Sequence, residues 1–316
     1  MLSSPGKRFV HASDGNRLYC EIYGNGAPVL LCDGLACDGF IWKYVISELA
    51  VRYQLIHWHY PGHGHSDVPT ESAASSIERL ADDLKRVVTD TIRQPAVILG
   101  HSLGVQVALE AWHRYPQDVK ALVLVCGVSG HLVASVHRRS LLRYLLPLLT
   151  FAESSAPTAI WSLLRKLPSS LLTKAAILAQ AINTRLIRTP DLEAYFNGLK
   201  SADIRFALRL LSDAARHDTT SFLSRIDVPV LIIGGGLDTV APPFRLREIA
   251  SQIPNAEVMI ARRGSHALPV EQPDLIALRV RQFLDERVFG DVRFDDVTGG
   301  GASPRNTSSD EASVNL

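Results

Sequence analysis

A serine flanked by glycines, Gly100-His101-Ser102-Leu103-Gly104, is the stretch of this 316-residue chain best equipped for covalent chemistry. A serine hydroxyl is a weak nucleophile at neutral pH, so it needs a base, and the base needs a third group to orient it. Downstream, in the order acid then histidine, stand Asp238 in Gly234-Gly235-Gly236-Leu237-Asp238 and His266 in Arg263-Gly264-Ser265-His266. Serine, acid and histidine in that order suit acyl transfer through a sharp strand-to-helix turn. Each residue also has a plainer reading. Asp238 is placed to cap the helix after Pro242-Pro243, His266 to sit on a surface loop, and Ser102 to be an inert turn residue.

The surrounding pattern favours the chemical reading because it puts all three on one edge of a sheet. Short apolar runs recur at residues 29–32, 54–58, 96–99, 121–126, 228–233 and 258–260. Continuous runs of this kind suit strands buried on both faces of a parallel sheet. Helix-length amphipathic stretches at 40–49, 76–93, 106–115, 243–252 and 273–289 lie between or after them. The alternation implies an α/β, doubly wound, mostly parallel sheet. Ser102 follows the run at 96–99, Asp238 the run at 228–233 and His266 the run at 258–260, so all three occupy strand C-terminal ends. Upstream, residues 7–12 and 18–23 read as a hairpin closed by Ser13-Asp14-Gly15-Asn16.

One interval breaks the alternation. Residues 129–217 carry a Leu-, Ala- and Arg-rich helical pattern interrupted by prolines, with no strand-like run. The domain reading is therefore a core of residues 1–128 and 218–290, a helical cap at 129–217, and a disordered tail at 291–316, where apolar residues are scarce.

Four histidines fall between residues 57 and 65: His57, His59, His63 and His65. That density resembles a metal site. The serine, acid and histidine elsewhere leave a metal with no role, however, and the segment is read as scaffolding, with His57 and His59 on one strand face and His63 hydrogen-bonded within its loop. No metal and no cofactor are expected.

Composition limits the alternatives. A formal charge of +1 gives no reason to expect nucleic acid. No run of about 18 apolar residues exists to span a membrane, and the N-terminus lacks the apolar core of a secretory signal. The scattered Cys20, Cys32, Cys37 and Cys126 read as buried free thiols, which makes a cytoplasmic location the expectation.

The chain resembles the α/β-hydrolase family over residues 7–288, through VLLCDGLA (29–36), YPGHGHSD (60–67), GHSLG (100–104), GGGLDTVAPP (234–243) and GSHALPVEQP (264–273). The resemblance implies the α/β-hydrolase fold with an inserted cap, Ser102 as nucleophile, Asp238 as acid and His266 as base. It also implies an oxyanion hole built from the backbone N–H groups of Leu103 and Leu35. Here the sequence departs from its relatives: Asp33-Gly34-Leu35 stands where a His-Gly pair is usual, and a carboxylate near a developing oxyanion opposes it unless paired. Asp33, Gly34 and His63 are taken as the supporting loop, and a histidine of the cluster as the partner that compensates Asp33.

Serine at the elbow excludes the family branches that use aspartate there. The expected activity is hydrolysis of a carboxylic ester or thioester of a lipophilic small molecule. Alternatives on the same triad are a C–C bond hydrolase, a cofactor-free haloperoxidase, an acyltransferase and a non-enzymatic ligand receptor. Leucine-rich stretches at 141–149 and 163–167 carry basic residues. They pack the cap or line an apolar acyl pocket, and peripheral membrane contact through the cap is a further expectation.

Overall fold

The computed structural model describes residues 4–69, 75–130 and 182–290, without the side chains of residues 199, 200 and 204. The leucine-rich stretches of the insertion and the tail from 291 lie outside these residues. Strands β1 (Gly6–His11), β2 (Arg17–Tyr23), β3 (Ala27–Cys32), β4 (Tyr53–Trp58), β5 (Ala96–His101), β6 (Val119–Val125), β7 (Val230–Gly235) and β8 (Ala256–Ala261) form one sheet in the order β1-β2-β4-β3-β5-β6-β7-β8. Strands β3 to β8 pair in parallel, and β2 joins antiparallel to β4. This is the doubly wound sheet that the apolar runs imply.

Each central strand feeds two cores by its period of two. Leu30, Ile56, Ile98, Leu122 and Ile232 face one layer, while Leu31, Leu55, Leu99, Val123 and Ile233 face the other. The first layer is covered by α2 (Ile77–Thr91), α3 (Leu103–Arg114) and α6 (Pro243–Gln252), the second by α1 (Lys43–Leu49) and α8 (Pro273–Phe283). α2 starts where Ser76 accepts a hydrogen bond from the Arg79 N–H, which caps the helix.

Several boundaries move for identifiable reasons. β5 runs on to His101 because Gly100 and His101 still pair with Leu124 and Val125 of β6. β7 starts at Val230, since Pro229 has no N–H to give a neighbour. The stretch at 40–49 opens as a 3₁₀ turn, Phe40–Trp42, before α1. The last helix widens into π turns at Leu284–Phe289, where Asp285 meets Tyr53 of β4 and Arg52 just before it.

Two helices between residues 189 and 216 rest on the core. α4 (Thr189–Ser201) places Asp191 against the Tyr44 hydroxyl at 2.8 Å and against Lys43. α5 (Ile204–Arg216) follows Asp203, whose N–H donates to the Gly62 carbonyl at 2.8 Å, and Asp213 accepts from the Ile77 N–H at 2.8 Å. The chain leaves and re-enters the core at one place. Gly130 bridges Asp218 in antiparallel fashion, and the Thr219 N–H donates to the Ser129 carbonyl at 2.8 Å. No described helix is long and apolar enough to cross a membrane.

Candidate active site

Ser102 sits between β5 and α3 with φ 54° and ψ −115°, a conformation costly for any residue with a side chain. The turn is held by the Ser102 N–H donating to the Val125 carbonyl at 2.9 Å. It also requires glycine beside it: a Cβ at Gly104 would fall 2.3 Å from the Cys32 carbonyl oxygen. Sequence at the elbow thus stores strain that the neighbouring strands hold in place.

The other two residues reach Ser102 because their loops are tied together. The Gly236 N–H donates to the Ala261 carbonyl at 2.8 Å, and the Leu237 N–H to the Gly264 carbonyl at 2.9 Å. Asp238 is buried, and one of its oxygens accepts from the N–H groups of Val240 (2.8 Å) and Ala241 (2.9 Å). So the local, loop-closing role of Asp238 is real, and it leaves the second oxygen for His266 Nδ1 at 3.0 Å. His266 Nε2 lies 2.8 Å from Ser102 Oγ. Neutral His266, with its proton on Nδ1, donates to Asp238 and accepts from the Ser102 hydroxyl. Burial disfavours the imidazolium, but the Asp238 charge and hydrogen bond outweigh it, and His266 is held above the usual histidine value.

Two further side chains fix the His266 loop. His101 Nε2 donates to the His266 carbonyl at 2.9 Å, and burial pushes the His101 imidazole down to about 4, so it stays neutral. Buried Glu271 accepts from the Ser265 N–H at 2.6 Å, from the Ser265 hydroxyl and from the Asn183 N–H at 2.7 Å. Sequence reasoning missed Glu271, because its second partner lies 88 residues away.

The loop of Asp33, Gly34 and Leu35 abuts the serine: a Cβ at Gly34 would lie 3.3 Å from Ser102 Cβ. Leu103 opens α3, so its N–H has no intrahelical acceptor. Among the described residues the Leu35 N–H also has no partner. The two donors are therefore unspent beside Ser102.

Asp33 is compensated by a histidine of the cluster, but not by His63. His57 Nε2 lies 2.8 Å from Asp33 Oδ2, which also accepts from the Gly39 N–H at 3.0 Å. Both side chains are 1% exposed. Burial opposes the His57 charge, yet Asp33 prevails and holds His57 above its ordinary value. His63 instead donates from Nδ1 to the Pro61 carbonyl at 2.9 Å and accepts at Nε2 from the Ala36 N–H at 3.1 Å. It fixes the residue after Leu35, a supporting role of a different kind.

Glu21, His57 and His59 bring ligand atoms within 4.8 Å of one another. Part of this donor set is already in use. His59 Nδ1 accepts from the His65 N–H at 2.9 Å, which leaves the proton on Nε2, and the Glu21 oxygens accept from the hydroxyls of Tyr19 and Tyr23. The rings of His57 and His59 are 4.9 Å apart on one face, as their spacing implies.

Comparison with known proteins agrees with this architecture. The family model described as alpha/beta hydrolase fold matches residues 27–273. A putative carbamate hydrolase RutD of Azorhizobium caulinodans is 27% identical over 283 residues, covering 88% of this chain and 98% of that protein. A pimeloyl-[acyl-carrier protein] methyl ester esterase of Vibrio campbellii is 26% identical, covering 84% of this chain and 98% of that protein. An esterase from Exiguobacterium antarcticum superposes with a TM-score of 0.72 at 19% identity, over 88% of this chain and 98% of that one, a likeness of fold. With the family model spanning β3 to β8, the elbow and the loops of Asp238 and His266, the chain belongs to the alpha/beta hydrolase fold family.

Proposed function

We propose that the protein is a serine hydrolase that cleaves a carboxylic ester or thioester of a lipophilic small molecule through an acyl-enzyme on Ser102. The observation that carries this reading is the unbroken hydrogen-bonded chain from Ser102 Oγ through His266 to Asp238, at 2.8 and 3.0 Å. His266 Nε2 takes the hydroxyl proton as Oγ attacks the carbonyl carbon. The N–H groups of Leu35 and Leu103 receive the oxyanion. Collapse breaks the bond to the leaving group, which takes the proton from His266 Nε2. Water, deprotonated by the same nitrogen, then releases the acid and frees Ser102. Asp238 keeps the histidine proton on Nδ1 and faces the imidazolium as it forms. One relative is named a putative carbamate hydrolase and another a methyl ester esterase, and cleavage of either kind of bond begins with attack on a carbonyl carbon, which supports the reaction class.

In the same reading, residues 129–217 form the cap over the strand ends, supported by the helices α4 and α5 and by the joined ends at Gly130 and Asp218. A cytoplasmic setting is supported by four buried, free cysteines. The test is a chain-length series of chromogenic esters and acyl thioesters with wild type and Ser102→Ala. Turnover lost in the variant by roughly 10³-fold or more is expected. Full activity in Ser102→Ala would remove Ser102 from the reaction, and an inert wild type would remove the hydrolase.

A further inference from the structure

Beside the Asp238 loop lies a cavity of about 850 Å³ that the hydrolytic reading leaves without a role. Three arginines line it, Arg185, Arg247 and Arg263. Their guanidinium groups have no ion-pair or hydrogen-bond partner among the described residues. Neighbouring arginines behave differently: Arg245 pairs with Glu248 at 2.7 Å, and Arg279 and Arg287 pair with Glu257. Among the described residues Asp238 is the only carboxylate on the wall, and its oxygens accept from Val240, Ala241 and His266. The start of α6 adds to the same sign, since its first turn carries no acidic residue and no side-chain cap. The remaining wall is mixed, with the polar Asn183, Thr184 and Thr239 beside apolar surface at Leu237, 54% exposed, and Phe244, 51% exposed.

Three arginines that line one concave, half-apolar space without an acidic partner among the described residues concentrate a positive field there. Their planar donor forks match the geometry of carboxylate and phosphate oxygens. We propose that this cavity is a binding subsite for the carboxylate or phosphate head group of a ligand with an apolar tail. The anion belongs either to the far end of the substrate or to a separate amphiphile. Either occupant rests on Leu237, the residue next to Asp238, and so orders the loop that carries the acid.

Binding is measured in the Ser102→Ala background, so the outcome does not depend on the hydrolase reading. Octyl phosphate, kept below its micelle-forming concentration, is titrated calorimetrically, with octan-1-ol as the neutral control. Saturable one-to-one binding is expected, weakened by added salt. Each exposed arginine is worth about threefold, so Arg185→Gln/Arg247→Gln/Arg263→Gln should bind on the order of tenfold or more weakly. Octanol binding should not change between the two proteins. A urea midpoint equal to that of the parent certifies the triple variant, whose replaced groups have no partner among the described residues. Equal octyl phosphate affinity in the triple variant, or no saturable binding in the parent, overturns the proposal. In wild type, octyl phosphate that competes only with the monoethyl ester of a dicarboxylic acid assigns the anion to the substrate. A changed turnover of neutral ethyl butyrate assigns it to a separate ligand.

Discussion

Replacing His57 with phenylalanine keeps a ring in the core and removes the group that pairs with Asp33. The carboxylate, 1% exposed, would keep only the Gly39 N–H, because Asp33 Oδ1 already has no partner among the described residues. Stranding a buried charge in this way costs about 3–5 kcal/mol, a large share of the roughly 5–15 kcal/mol that holds a domain folded. The single variant should therefore lower the urea midpoint sharply at pH 6. Adding Asp33→Asn removes the stranded charge and should recover about 1–3 kcal/mol of that loss, a coupling that a double-mutant cycle reads directly. The pH dependence carries a second signature. His57 is raised in the folded state, so the pair contributes fully below the unfolded histidine value of about 6.5 and less as pH climbs through the folded value. The gap between wild type and His57→Phe should accordingly narrow from pH 6 to pH 9. A loss below about 1 kcal/mol at pH 6, with additive behaviour in the double variant, would refute the pairing as the support of the Asp33 loop.

Three other outcomes follow from the same geometry. The acid limb of kcat/KM for ester hydrolysis should have its midpoint above about 6.5, since His266 must be neutral to act and Asp238 holds it up. Asp238→Asn should move that midpoint down and cut kcat by roughly 10²–10⁴-fold; an unmoved limb would show that another group titrates. Gly34→Ala would put a Cβ 2.9 Å from His101 Nδ1 and 3.3 Å from Ser102 Cβ. It should lower kcat by about 10–100-fold through displacement of the Leu35 N–H, and unchanged kcat would separate that loop from the reaction. His59 is pushed down to about 3 and His101 to about 4 by burial. Their contribution to stability is full above about 6.5 and is lost as pH falls towards those values, because the unfolded chain takes up protons that the folded one refuses. The urea midpoint should fall between pH 7 and pH 5 with a shallower slope in His59→Gln, and parallel slopes would contradict it.

Much of this site is legible in the sequence because its parts are local. Ser102, Asp238 and His266 each follow an apolar run directly, so the parallel strands suffice to bring them to one edge. The strand faces are legible for the same reason, since a period of two needs no tertiary knowledge. What escapes is everything decided by lateral neighbours. His57 meets Asp33 because β4 pairs with β3 so that His57 lies opposite Leu31, two residues before the carboxylate. No spacing within the histidine cluster distinguishes His57 from His63 as that partner. The π turns at Leu284–Phe289 depend in the same way on Asp285 meeting Tyr53, 232 residues away. The histidine-dense segment turns out to brace one loop of the site through two different members, His57 on Asp33 and His63 on Ala36.

The bridge between Gly130 and Asp218 has a consequence for how this chain can vary. Its two neighbours, Ser129 and Thr219, are tied as well, so the core itself holds both ends of the intervening segment at one point. Anchored there, a change of length between residues 130 and 218 is taken up outside the strands, so the register that sets Ser102, Asp238 and His266 at one edge does not depend on it.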